Sequence, residues 1–151
     1  MVVYSHELLK VNDYDKAQKR VLAFTNKRII NFDGKSVKRM IDLEKIRGFT
    51  INDHPTCFEF VFHVKGESDY RYRASMKTER DEILELIKWD YKECTKKSLP
   101  VYQVPTEHLW DFHTVKGDLK KGISWVPPQT NLLSEKSIVE ETKAEIPQFG
   151  P

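Results

Sequence analysis

The chain has 151 residues and a mass of 17.8 kDa, a length that suits one domain with an appended segment and is short for two full domains. Apolar residues make up 39% and charged residues 32% of it, with 11% aromatic residues, a composition that excludes a wholly disordered chain. No apolar run approaches the roughly 18 residues of a membrane span, and the first ten residues lack the apolar core of a secretory signal. We therefore predict a soluble cytoplasmic protein.

The net charge of +2 conceals a difference between two parts of the chain. Residues 10–39 hold nine Lys or Arg against three Asp, whereas residues 100–151 hold five Lys against seven acidic residues. Six of the seven prolines also lie at or after Pro100. The composition predicts a domain over residues 1–98 and a Pro-rich extended tail over residues 99–151.

Short runs rich in β-branched and aromatic residues occupy the first half of the chain, and several alternate with period two. Turn residues such as Asp33-Gly34 and Lys65-Gly66 separate them at hairpin spacing. The pattern favours an antiparallel meander with one buried face. The predicted strands are Leu8–Val11, Arg20–Thr25, Arg28–Phe32, Val37–Leu43, Ile46–Ile51, Phe58–Val64 and Tyr70–Ala74.

After the seventh strand the apolar period changes to that of a helix. In KTERDEILELIKWDYKEC the apolar residues fall on one helical face, with Glu and Lys opposite. The segment therefore predicts an amphipathic helix of about four to five turns. Such a helix can close the open end of a curled antiparallel sheet.

The segment RVLAFTNKRIINFDGKSVKRMIDLEKIRGFTIND, followed by FEFVFHV and DYRYRA, resembles the tail-homology domains of class I myosins and related pleckstrin-homology-like modules. The resemblance covers about residues 3–95. It implies a mainly β fold, in which a seven-stranded curled antiparallel barrel is capped by one α-helix.

The resemblance also implies a lipid site. In phosphoinositide-binding members, a Lys on the first strand and a basic-x-Arg pattern on the second converge on headgroup phosphates. Lys10 matches the first position and Arg20 the last, while Gln18 stands at the middle basic position. Lys16 and Lys19 lie nearby, although strand alternation puts Lys19 on the other face from Gln18 and Arg20.

The candidate lipid-binding residues are Lys10, Lys16, Lys19, Arg20 and Arg28. Further cations over residues 27–39 can add a diffuse attraction to anionic lipid if they share a face. The alternative is that these side chains form an ordinary solvated face of the barrel.

Motifs of catalysis and metal binding are absent from the sequence. It has no Gly-rich phosphate loop, no HExxH and no GxSxG, so we predict no catalytic residues, no cofactor and no enzymatic activity. His108 and His113 flank Trp110 but lack a third ligand, so no metal site is predicted. Cys57 and Cys94 lie far apart and outside any CxxC pair, which favours free thiols over a disulfide or a metal site.

Aromatic and basic residues alternate in DYRYRA, a pattern that also occurs in nucleic-acid-binding surfaces. On a strand, however, Tyr70 and Tyr72 share one face and Arg71 and Arg73 the other. Core packing is the simpler explanation, and no nucleic-acid partner is predicted.

The tail carries more large apolar residues than a disordered linker usually has. Residues 105–113 predict a short helix that packs Leu109, Trp110 and Phe112 on the barrel. Beyond it we expect an extended chain that buries anchors on another protein, or else a flexible end. The candidate partner-binding residues are Trp110, Trp125, Leu132, Leu133 and Phe149.

These features predict a non-enzymatic interaction or scaffold subunit that docks onto other subunits of a larger assembly, cytoskeletal or ciliary. The alternative is a peripheral module that binds phosphoinositides or other anionic lipids, or a regulatory domain of a signalling protein. The first places the protein in the cytoplasm or on the cytoskeleton or cilium, and the second places it at a membrane surface.

Overall fold

A computed structural model describes residues 4–12 and 14–122 and the backbone of residues 132–133. All seven predicted strands and the predicted helix are present there, each with slightly different ends. A one-turn 3-10 helix separates β4 from β5. The elements are β1 (Tyr4–Val11), β2 (Ala17–Phe24), β3 (Arg28–Asp33), β4 (Ser36–Asp42), β5 (Ile46–Asn52), β6 (Phe58–Val64), β7 (Tyr70–Ala74), α1 (Lys77–Thr95), β8 (Val101–Val104), α2 (Lys116–Lys120) and β9 (Leu132–Leu133).

The strands form one curled sheet in the order β4-β3-β2-β1-β7-β6-β5-β8-β9. Strands β1 to β4 form one antiparallel meander, β5 to β7 form a second, and pairing of β1 with β7 joins the two. β8 pairs in parallel with β5, and the connection between them runs through β6, β7 and α1. The sheet therefore extends beyond the seven predicted strands.

The inner face of the sheet carries the main core. Phe60 and Phe62 alternate onto it from β6 and are fully buried, as the period-two pattern predicts. The Phe60 ring stacks on Phe49 of β5, with ring centroids 5.2 Å apart. α1 covers this core with Ile83 and Ile87, both fully buried. The helix closes the sheet in the predicted way.

Residues 105–115, which we call the strap, cross the outer face of the sheet. The strap runs in turns rather than in the helix predicted over 105–113, and the short helix α2 begins only at Lys116. The reason is that sheet side chains bind its backbone: Glu59 accepts the Leu109 N–H at 2.7 Å, and Asn52 Nδ2 donates to the Glu107 carbonyl at 2.8 Å. Backbone groups used in this way are unavailable for helical hydrogen bonds.

The apolar side chains of the strap have different surroundings. Leu109 is fully buried in a small cluster with Val61 and Val104, and Phe112 packs against that cluster, as predicted. Trp110 is 52% exposed, so the prediction that it packs on the barrel is wrong. Leu109 and Trp110 are consecutive residues outside a helix, so their side chains point in different directions and only one of them faces the sheet.

The remaining tail predictions fall mostly outside the described residues. Trp125 and Phe149 lie there, whereas Leu132 and Leu133 form β9, which pairs with β8. Within the described part of the chain, no helix is long and apolar enough to cross a membrane.

Candidate functional site

Strand register brings three cationic side chains to the inner face of the sheet. Lys10 lies two residues beyond Leu8 on β1, and Arg20 lies directly opposite Leu8 on β2. Because directly opposed residues of an antiparallel pair share a face, Lys10 and Arg20 share the face of the buried Leu8. Arg39 reaches this face from β4, where it pairs with the buried Asn31. The inner face of the sheet therefore changes at this end from apolar to cationic side chains.

These side chains line a cavity of about 960 Å³, close to the connections β1–β2, β3–β4 and β6–β7. A volume of this size is within the range of small-molecule sites. We call it the cationic cavity, because six of its charged residues are basic and two are acidic. They are Lys10, Arg20, Lys38, Arg39, Lys116, Lys120, Glu67 and Asp69.

The guanidinium of Arg39 is held in a fixed position within the cationic cavity. Its Cζ lies 3.7 Å from the ring centroid of Tyr70. Its Nη2 donates to Glu67 Oε1 at 3.1 Å and to the Ser68 carbonyl at 3.0 Å. Burial lowers the pKa of Arg39 and Glu67 opposes that shift; a guanidinium stays charged in proteins. The result is a preorganised planar cation.

Two buried polar atoms of this cavity have no hydrogen-bond partner. They are Arg20 Nε and the hydroxyl of Tyr70, and they are the only such side-chain atoms among the described residues. Arg20 commits Nη1 to the Lys19 carbonyl at 2.7 Å and approaches Asp33 at 3.6 Å. Buried polar atoms are nearly always paired, so two unpaired donors in residues that line one cavity are unusual.

Of the five predicted lipid-binding residues, the structure brings two together. Lys10 and Arg20 line the cationic cavity. Lys16 and Lys19 are exposed and lie outside its lining. Lys19 pairs with Leu9 and so belongs to the other face of the sheet, as alternation indicates.

Arg28 lies apart from the other four residues. Its Nε donates to Asp42 at 3.0 Å across the β3–β4 pair, and both side chains are about half exposed. With Trp89 of α1 these residues border a second groove. The structure therefore does not bring Arg28 to the cationic cavity.

The outer face of the same sheet carries a second polar group, centred on Glu59 of β6. Arg71 holds the carboxylate with Nε at 2.8 Å and Nη2 at 2.9 Å, and Arg73 Nη2 donates at 2.7 Å. His108 Nδ1 lies 3.0 Å from Glu59 Oε2, and the Leu109 N–H completes the set. Burial raises the pKa of Glu59, but these hydrogen bonds, led by those of Arg71, lower it to about 2. Glu59 is thus ionised at neutral pH and anchors its hydrogen-bond partners.

Asp69, which directly precedes β7, is a second buried carboxylate that accepts several hydrogen bonds. Its Oδ2 accepts from His63 Nδ1 at 2.9 Å and from the Thr114 N–H at 2.8 Å. Because His63 Nδ1 carries the proton that it donates to Asp69, the other ring nitrogen accepts from the Thr50 hydroxyl at 2.6 Å. Burial lowers the pKa of His63 although Asp69 raises it, so the ring is neutral near pH 7. We refer to Glu59, Asp69 and these partners as the carboxylate cluster.

Cys57, Glu59 and His108 place ligand atoms within 4.8 Å of one another, which is the spacing of a metal site. The chemistry does not suit a cation, because Arg71 and Arg73 already neutralise Glu59. Burial also raises the pKa of the Cys57 thiol, whereas a metal ligand must be the thiolate. The arrangement favours hydrogen bonding over metal coordination. His113 lies elsewhere, with Nδ1 donating to the Leu109 carbonyl at 3.0 Å.

Several residues of both groups were not identified from the sequence. Lys38 and Arg39 were expected to contribute only diffuse charge, and Lys116 and Lys120 were not considered. Glu59 and Arg71 alternate to the face that was expected to be wet. The sequence does contain one sign that this face is covered: Val61 on it is apolar, and in the structure it is buried beneath the strap.

No protein-family model matches the sequence, and no curated protein matches it. Solved structures do match. The human oxysterol binding protein-related protein 11 PH domain superposes with a TM-score of 0.52 and 16% identity, over 62% of this chain and 82% of that one. The N-terminal PH domain of human ARAP2 superposes with a TM-score of 0.51 and 20% identity, over 63% of this chain and 84% of that one. The chain has the pleckstrin-homology fold, mainly β with a capping helix.

Proposed function

We propose that the domain binds the multiply phosphorylated headgroup of a phosphoinositide in the cationic cavity, without catalysis. One observation carries this proposal: Lys10, Arg20, Lys38 and Arg39 line one cavity, in which basic residues outnumber acidic ones by six to two. The fold supports it, since pleckstrin-homology domains typically bind phosphoinositides or proteins. The narrower resemblance to the tail-homology domains of class I myosins stays a prediction.

The chemistry of the cavity suits phosphate groups better than a single carboxylate. Each phosphate offers several acceptor oxygens, and an arginine donates to two of them through its planar fork. Arg39 is already oriented by Tyr70, so less conformational entropy is lost on binding. Lys10 Nζ lies 5.7 Å from the centroid of the same Tyr70 ring, so two cations lie close to one side chain of the cavity.

A second candidate function is docking of the C-terminal segment on a protein partner in a larger assembly. The observation that favours it is Trp110, which is 52% exposed although its neighbour Leu109 is fully buried. A tryptophan displayed on an anchored backbone is a typical interface residue. Trp125, Leu132, Leu133 and Phe149 are proposed as further contacts of that partner.

Calorimetric titration with inositol trisphosphate tests headgroup binding in solution. We expect Lys10→Ala combined with Arg20→Ala to weaken binding by about a hundredfold, because two charge-assisted contacts are lost. The matched control is Lys16→Ala combined with Lys19→Ala, which removes the same charge from exposed positions outside the cavity lining. We expect it to weaken binding by less than about threefold.

Co-sedimentation with phosphatidylcholine vesicles, with and without phosphatidylinositol bisphosphate, separates a membrane ligand from a soluble one. Binding to the free headgroup but not to the vesicles would indicate a soluble inositol phosphate. Equal losses in the two double variants would show that charge alone attracts the anion and would contradict a specific cavity.

A further inference from the structure

The cationic cavity takes part of its wall from beyond the seven strands and capping helix. Lys116, Leu119 and Lys120 of α2 line it together with Lys10 and Arg39. α2 follows the strap directly, so its position depends on how the strap is fixed. The arrangement links the outer face of the sheet to a cavity on its inner face.

The strap is anchored first on Glu59. The Leu109 N–H donates to Glu59 Oε1 at 2.7 Å, and the Leu109 side chain is fully buried against Val61 and Val104. Upstream, Asn52 Nδ2 donates to the Glu107 carbonyl at 2.8 Å. A charged acceptor and a buried side chain together hold this part of the strap against the sheet.

The strap is anchored again immediately before α2. Asp69 and Thr114 exchange two hydrogen bonds: the Thr114 N–H donates to Asp69 Oδ2 at 2.8 Å, and the Asp69 N–H donates to the Thr114 carbonyl at 2.8 Å. Lys116 lies two residues after Thr114, and Tyr70, which lines the cavity, directly follows Asp69. This double hydrogen bond ties the start of α2 to the rim of the cavity.

We propose that α2 is a component of the anion site, in which Lys116 and Lys120 bind phosphate and Leu109 is a positioning residue that acts through the strap. This inference rests on the proposed function, because it assigns further residues to the same site. The strap would then serve recognition as well as stability: it fixes two cations where a multivalent ligand can reach them along with Lys10 and Arg39.

Calorimetric titration of the full chain with inositol trisphosphate tests the two lysines. We expect Lys116→Ala combined with Lys120→Ala to weaken binding by about tenfold to thirtyfold, since two cations near an anionic ligand are removed. The matched control is Lys96→Ala combined with Lys97→Ala, which removes the same charge from exposed residues at the end of α1. It should bind within about twofold of the wild type.

The positioning role of Leu109 is tested by non-additivity. Leu109→Ala should weaken binding, while Trp110→Ala at the exposed neighbouring position should not. If Leu109 acts only through α2, adding Leu109→Ala to the double lysine variant should weaken binding no further. A purely general loss of stability would instead weaken binding by the same factor in both backgrounds.

Two outcomes contradict the proposals, and they differ. If the Lys10 and Arg20 double variant loses binding while the Lys116 and Lys120 double variant matches its control, α2 is not part of the site and the proposed function stands. If the wild type does not bind inositol trisphosphate, both the inference and the proposed function are overturned. The lysine variants decide the main point even where Leu109→Ala fails to fold.

Discussion

The two faces of the sheet carry charged groups that differ in how completely they are neutralised and hydrogen-bonded. On the outer face, the carboxylate cluster is neutralised and bonded: Glu59 accepts from Arg71, Arg73 and the Leu109 N–H. On the inner face, cations outnumber acids around an open cavity, and Arg20 Nε has no partner. Both groups combine basic and acidic side chains, so composition alone does not distinguish them.

The difference shows how a structural ion cluster can be told from a binding site. A structural cluster meets the hydrogen-bonding needs of its buried atoms within the fold, because each unmet donor or acceptor costs stability. A binding site leaves donors for its ligand and keeps an excess of one charge. By these criteria the carboxylate cluster fixes the strap, and the cationic cavity has the features of the anion site that we propose.

The largest expected effect is loss of the carboxylate at the centre of the outer group. Glu59→Gln leaves Arg73 without its counter-charge and Arg71 with only the half-exposed Asp15, and we expect the free energy of unfolding to fall by about 3–5 kcal/mol. Urea denaturation measures this loss. Glu82→Gln, at an exposed position of α1, is the control and should change stability by less than about 0.5 kcal/mol. A loss below about 1 kcal/mol at Glu59 would contradict the structural role.

Acid should weaken the outer group in a defined range of pH. The pKa of Glu59 is lowered from 4.5 to about 2, so its stabilising contribution is complete above pH 4.5 and is lost as pH falls towards 2. We expect this contribution to be on the order of 2–3 kcal/mol. Unfolding free energies measured across that range should fall more steeply for the wild type than for Glu59→Gln, and equal slopes would refute the assignment.

Two neighbouring tyrosines of β7 should respond with opposite signs to the same change. The Tyr70 hydroxyl is buried without a partner, whereas the Tyr72 hydroxyl donates to Asn31 Oδ1 at 3.0 Å. Tyr70→Phe should therefore raise the unfolding free energy of the unliganded protein by about 1 kcal/mol, and Tyr72→Phe should lower it by about 1 kcal/mol.

Binding tests the Tyr70 hydroxyl further. Because this hydroxyl is buried, Tyr70→Phe should leave the affinity for inositol trisphosphate nearly unchanged. Destabilisation by Tyr70→Phe would show that its hydroxyl is already satisfied without ligand.

The smallest expected effect is at Arg28. Its ion pair with Asp42 joins two side chains that are 53% and 50% exposed, so Arg28→Ala should cost about 0.5 kcal/mol or less. Headgroup affinity should be unchanged, because Arg28 lies outside the cationic cavity. A large loss of affinity would mean that the anion binds near the β2–β3 turn instead.

The seven strands and the capping helix were predictable because several strands and the helix have a clear apolar period and turn residues separate the strands. Strand β8 was not, since VYQV is short, follows Pro100 and pairs with a strand distant in sequence. The strap lacks a period altogether: Leu109 is its one fully buried apolar side chain, and side chains of the sheet bind its backbone. Such tertiary hydrogen bonds leave no mark on local sequence.

The candidate site was predictable only in part. Lys10 and Arg20 were identified through the resemblance to phosphoinositide-binding pleckstrin-homology domains, and alternation correctly separated Lys19 from Arg20. Lys116 and Lys120 were out of reach, because they arrive on a segment whose path depends on the buried carboxylates. The prediction that Glu59 lies on a solvent-exposed face was wrong for the same reason, since the strap covers that face.

A proton–nitrogen correlation spectrum of the full chain, titrated with inositol trisphosphate, shows directly where the ligand binds. We expect shifts of the backbone amides of Lys10, Arg20, Arg39 and Tyr70 and across α2, with little change in the amides near Arg28 and Trp89. Shifts centred on Arg28 and Trp89, or no shifts at saturating ligand, would contradict the assignment of the cationic cavity as the binding site.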